Sequence, residues 1–164
     1  WGLTRALRLD VAQRDMQSVT PLVPGPGGWR GRLDLLLKHP DDDEVKRFQR
    51  EVVLPALREF AKALRDHGVG VQVKDALRRA DSVRLEVSTD GEGEFVYEVI
   101  SRRHVGTPGG ESVESSDNGE YHRAEVHLFQ GGQDYDIMGW TREQIIHDAL
   151  GHYERHLQFH RGLQ

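Results

Sequence analysis

The chain has no cysteine, which excludes disulfides and thiolate metal sites and fits a reducing compartment. No window approaches the roughly 20 apolar residues a helix needs to span a bilayer. No segment joins a charged start to an apolar core as a secretory leader does. By itself the chain therefore reads as water-soluble. Positive charge is also short: 22 Lys and Arg against 27 Asp and Glu leave −5, so nucleic acid is not an expected partner. No internal repeat is visible. The glycine clusters GPGG and GTPGG lack the Lys-Ser/Thr of a phosphate loop. Ser112, Ser115 and Ser116 have neither a paired base nor oxyanion support. No catalytic residue and no cofactor is nominated, and the expectation is a protein that is not an enzyme.

What is present is enough for one folded unit. The 164 residues are 37% hydrophobic and 30% charged, and a chain of that size buries roughly 70% of its unfolded surface. Residues 1–16 read as an amphipathic segment, with Leu3, Ala6, Leu7 and Val11 on one side. Trp1 followed by Arg5, Arg8 and Arg14 has the makeup of a membrane-proximal stretch, aromatic at the interface and basic inside. An ordinary packed helix accounts for it equally well. Residues 17–28, with PLVPGPGG, form a linker. The domain proper is 29–164.

Within it, Trp29, Leu33, Leu36 and Leu37 share one helical face. His39-Pro40 ends that helix, and Asp41 or Asp42 caps the next, where the acidic run Asp41–Glu44 suits the positive helix end. The second helix runs to about Asp66 with Val45, Phe48, Val52, Ala56, Phe60 and Leu64 on its buried stripe, a kink at Pro55 and a stop at Gly68. Alternation then marks strands at Val69–Val73, Val83–Val87 and Phe95–Val99, the last two joined by a hairpin at Asp90–Gly93. Leu77–Ala80 is a loop or a brief helical turn. Residues 104–120 offer nothing large to bury and read as a mobile loop.

The densest information lies at Tyr121–His160. Ala124, Val126 and Leu128 fall on one side of a strand. Tyr121, Arg123, Glu125 and His127 fall on the other, as a solvated row or an interface. Thr141 and Gln144 form a reciprocal capping box for a long helix, with Trp140 placed to staple onto Ile145. The fold class that follows is α+β: a mainly antiparallel sheet of about four strands with helices packed on one face, a two-layer sandwich.

Two patterns have metal-binding spacing. Asp148, His152, His156 and His160 recur every four residues, a helical ladder in which His152 and His156 are the weak metal candidates. The ladder drifts around the helix, and packing or a subunit contact explains it without an ion. A metal-dependent hydrolase would draw on His147, His152 and His156 with Asp148. Asp134 and Asp136 form a D-x-D, best read as turn-making carboxylates. Trp29, Trp140, Tyr97, Tyr135 and Tyr153 are too dispersed for a quaternary-ammonium box.

The run AEVHL, then GGQDYDIMGW-T, EQII and YERHLQF, closely resembles the end of choline transporters of the BetT type, in the betaine/carnitine/choline transporter family. The resemblance extends upstream through WRGRLDLLLKHPDDDEVKRFQREVVLPALREFAKAL, EFVYEVISRR and the opening WGLTRALRLDVAQRD. It implies a C-terminal tail on the cytoplasmic side of the bacterial inner membrane. It also implies osmoregulatory control of a secondary transporter for choline or a related quaternary ammonium compound, with no transport by this piece alone. The partners implied are the membrane part of the same transporter and the anionic membrane surface. A homo-oligomeric assembly module is the alternative. Family members typically carry Asn and Gln where this chain has His147 and His152, which lowers the metal reading further.

Overall fold

The computed structural model describes residues 28–89, 93–106 and 119–162. The elements in chain order are α1 (Gly28–Leu37), α2 (Asp42–Phe48), a π-helical turn (Gln49–Val53), α3 (Leu54–Asp66), β1 (Val71–Ala76), β2 (Ser82–Thr89), β3 (Gly93–Val105), β4 (Glu120–Leu128), β5 (Tyr135–Asp136) and α4 (Arg142–Gly162). The strands make one antiparallel sheet in the order β1-β2-β3-β4-β5. The α+β class is as expected, with one strand more than the four anticipated. The added strand, β5, is two residues long.

The helical layer follows from its caps and its proline. Asp41 accepts a hydrogen bond from the Glu44 amide at 2.8 Å, fixing the start of α2. Pro55 has no N–H to donate and its ring crowds the carbonyl one turn back. The chain meets this with the π-helical turn at Gln49–Val53, which puts Pro55 in the first turn of α3. The extra residue advances the buried stripe. Val53 is buried where Val52 was expected, and Gln49 and Leu57 turn inward beside Ala56, Phe60 and Leu64. Gln49 Nε2 donates to the carbonyls of Asp81 (2.9 Å) and Val99 (3.1 Å), tying helix to sheet. Gly68, at φ 79°, closes α3, and the Val69 amide returns to Leu64 O. Val69 packs on the core but precedes β1, and Leu77–Ala80 is a turn.

One face of the sheet carries Val83, Leu85, Val87, Phe95, Tyr97, Val99, Ala124 and Val126. It packs on Leu54, Leu57, Phe60 and Leu64 of α3 and on Ile145, Ala149 and Tyr153 of α4. Each such aliphatic or aromatic side chain contributes about 1.5–3 kcal/mol by leaving water.

Two boundaries move. His104 and Val105 belong to β3 and Glu120 to β4, so the ladder runs into both ends of the expected 104–120 loop. Residues 107–118, the hairpin tip 90–92, Trp1, Arg5, Arg8, Arg14 and the linker up to residue 27 lie outside the described residues. The helix expected from Trp29 forms, but its apolar face is not buried. Trp29 is 67% exposed, Leu33 45%, and Leu36 and Leu37 52% each. Leu35 instead anchors α1, lying so near Gly139 (φ 84°) that a Cβ there would come within 2.5 Å of it. No helix among the described residues is long and apolar enough to cross a membrane.

Candidate functional site

Helix α4 is set by its first turn. The Thr141 amide donates to Gln144 Oε1 (2.9 Å) and the Gln144 amide to Thr141 Oγ1 (3.2 Å), the reciprocal pair read from the sequence. Ile145 is fully buried and Trp140 packs on the core. With α4 fixed, Asp148 meets the sheet. Tyr97 OH donates to Asp148 Oδ2 at 2.7 Å, Tyr135 OH donates to the same oxygen, and His152 Nε2 lies 2.8 Å from Tyr135 OH and 3.5 Å from Asp148 Oδ1. A phenol has one proton. With Tyr135 giving its proton to the carboxylate, its oxygen accepts, so His152 Nε2 carries a hydrogen.

Burial pushes the Asp148 carboxyl up, but hydrogen bonds from His152, Tyr135 and Tyr97 outweigh it and hold the group below its ordinary value. Burial, reinforced by the Asp148 charge, pushes both phenols well above theirs. The cluster is thus an ionised carboxylate held by three hydrogen-bonding side chains. It positions α4 on the sheet and leaves the phenols as hydrogen-bond donors rather than nucleophiles.

Beside it opens a cleft of about 640 Å³, lined by Phe95, Leu128, residues 130–133, Tyr135, His152, Arg155, His156, Phe159 and His160. No local pattern marks it, because its walls come from β3, the end of β4, the loop before β5, β5 itself and the end of α4.

The histidine ladder separates in space. His152 is taken by Tyr135 and Asp148. His156 is buried against Phe95, with its ring 4.4 Å from that of His160, and His147 is exposed on another side of α4. The hydrolase set of His147, His152, His156 and Asp148 is not gathered. Among the described residues no group of three or more His, Asp or Glu is placed to hold a metal ion.

The opposite face of the sheet is ionic. Lys74 pairs with Glu86 (2.9 Å), Arg84 with Glu86 (3.3 Å) and Glu98 (2.8 Å), Arg102 with Asp134 (2.7 Å), His104 with Glu125 (2.5 Å) and His127 with Asp134 (2.8 Å). The row Tyr121, Arg123, Glu125, His127 lies here, as alternation requires. Its members differ in surroundings. Tyr121 stacks on His104, whereas Arg123 is buried, paired with Asp136 and donating to the carbonyls of Leu35 and Lys38 at the end of α1. An arginine on the last carbonyls of a helix satisfies groups that have no partner within it. Asp136 also accepts the Met138 amide at 2.9 Å, the turn-making role read for the D-x-D, while Asp134 serves the ionic lattice. Strand β5 and the residue before it therefore send Asp134 and Asp136 to one face and Tyr135 to the other.

Fold and site together define an α+β module with an ionic open face, an apolar covered face and a polar cluster under its last helix. Sequence comparison gives its kinship. No family model matches the chain. It is 31% identical over 167 residues to a glycine betaine transporter of Acinetobacter baylyi, covering 97% of this chain and 24% of the relative. It is 30% identical over 171 residues to an osmo-dependent choline transporter of the same organism and 30% over 168 residues to a high-affinity choline transport protein of Escherichia coli, each covering 96% of this chain and 24% of the relative. The chain is a homologue of a segment of the betaine/carnitine/choline transporters, and it spans about a quarter of the length of these relatives.

Proposed function

We propose that this segment is a cytoplasmic regulatory domain of a transporter for choline or a related quaternary ammonium compound, setting transport activity in response to ionic strength. The reading rests on kinship for the transporter and on one structural observation for the regulation. The open sheet face is a lattice of ion pairs whose basic members are partly exposed, in a chain of net charge −5. Such pairs are individually worth about 0–1 kcal/mol and weaken with salt. Their field reaches roughly 8–10 Å at ordinary ionic strength and about 3 Å at 1 M. A domain tethered beside an anionic bilayer and the basic loops of its own transporter is therefore docked or released according to internal salt. Uptake measured against osmolality, by the full-length transporter with and without this segment, tests the proposal. Loss or displacement of osmotic activation in the deleted form is the expected result, and coincident curves sink it.

A second reading has its own observation. Helix α1 exposes Trp29, Leu33, Leu36 and Leu37, and the last two share a groove of about 340 Å³ with His104, Tyr121, Arg123, Glu125 and Asp136. This favours an assembly surface between copies, through which the sheet row and α1 meet a partner. Light scattering at rising concentration tests it: a strictly monomeric chain removes the reading.

A further inference from the structure

The cleft between α4, β3 and the loop before β5 is independent of the ionic face and of the regulatory reading. At about 640 Å³ it has the size of a small-molecule site, about 300–1,000 Å³. Its walls are Phe95, Tyr135 and Phe159, the last left 65% exposed at the rim. The one fixed charge in its lining, among the described residues, is the Arg155 guanidinium. Arg155, His152, His156 and His160 line it, and no Asp or Glu does, although the chain as a whole carries more acids than bases. The nearby carboxylate, Asp148, is already engaged by Tyr97, Tyr135 and His152. The Arg155 guanidinium has no carboxylate partner among the described residues. It folds back to the Gly151 carbonyl at 3.3 Å and lies close enough to Tyr135 for its charge to act there. Gly131 and Gly132, both at φ 104°, carry the wall opposite α4 in a conformation that residues with a Cβ rarely adopt.

We propose that this cleft binds a small organic anion with an aromatic body: the ring lies among Phe95, Tyr135 and Phe159, and the anionic head pairs with Arg155. A quaternary ammonium cation is the wrong charge for this lining. Arginine suits the head because its fork of donors matches a carboxylate, sulfonate or phosphate. Aromatic walls suit the body because ring–ring contacts add to the burial of area.

The test uses the whole chain and two probes, 1-naphthalenesulfonate and choline, with the ring signals of His152, His156 and His160 followed by NMR. Naphthalenesulfonate is expected to shift these signals saturably, and choline to leave them in place. Arg155→Gln should weaken the sulfonate by about tenfold or more, the loss of one charged hydrogen-bonding partner. Arg58→Gln, on the exposed side of α3, should change nothing. Circular dichroism of both variants reports whether each is folded. The proposal is overturned by the absence of a saturable shift, by a folded Arg155→Gln variant with unchanged affinity, or by choline shifting the same rings.

Discussion

The two faces of the sheet are made from the same strands and by opposite means. On the covered face, Leu85, Tyr97, Val99 and Val126 are at most 1% exposed and held by exclusion from water. On the open face, the alternate residues Arg84, Glu98, Arg102 and Glu125 are held by charge. Apolar burial is nearly indifferent to salt on this scale, whereas exposed ion pairs are screened by it. The difference teaches that one β-sheet can be held on its two sides by forces that answer differently to salt. β5 and the residue before it join them, with Tyr135 facing one way and Asp134 and Asp136 the other.

Substitutions should separate the faces by size of effect. Leu57→Ala, at a fully buried position, should cost the most, about 2–5 kcal/mol by denaturant titration, with little dependence on salt. Asp148→Asn should cost about 1–3 kcal/mol, because the buried Tyr97 and the half-buried Tyr135 lose an ionised acceptor. Its pH dependence is distinctive. The folded-state pKa of Asp148 is depressed, so its stabilisation is present above the ordinary carboxylate value of 3.8 and is lost as pH falls through the depressed value. The variant should therefore lose that part of the acid slope, and an unchanged slope would contradict the account of the cluster. Thr141→Ala should cost about 1 kcal/mol in thermal melts through loss of the cap. Arg102→Gln, with a side chain 43% exposed, should cost less than about 1 kcal/mol, and that cost should vanish at 1 M salt. A larger, salt-insensitive loss would erase the distinction between the faces.

The sequence carried the local rules of the fold plainly. Asp41, the Thr141–Gln144 box and Gly68 sit where caps were expected, and strand alternation assigned Ala124 and Val126 to the core. What it did not carry was set by tertiary packing. Pro55 signalled a disturbance, but only packing decides that it is absorbed as a π-helical turn that brings Gln49 inward. β5 is two residues long and has no period to detect. Arg123 sits in a row of alternating surface residues, and its burial depends on the end of α1 arriving from about 85 positions upstream. The cleft was invisible for the same reason, since Phe95 and Phe159 are distant in sequence. Spacing alone could not tell a ligand set from packed rings in the histidine ladder, where His152 lies on Tyr135 and His156 on Phe95.

On the proposed function, the ionic face governs response while the apolar face governs folding. Its most direct test is the osmotic activation curve of the full-length transporter carrying Arg102→Gln and Lys74→Gln together, compared with the melting temperature of the isolated chain bearing the same changes. A displaced activation midpoint with a melting temperature within about 4 °C of the parent is the predicted result. An unmoved activation curve, with those charges gone and the fold intact, would contradict it.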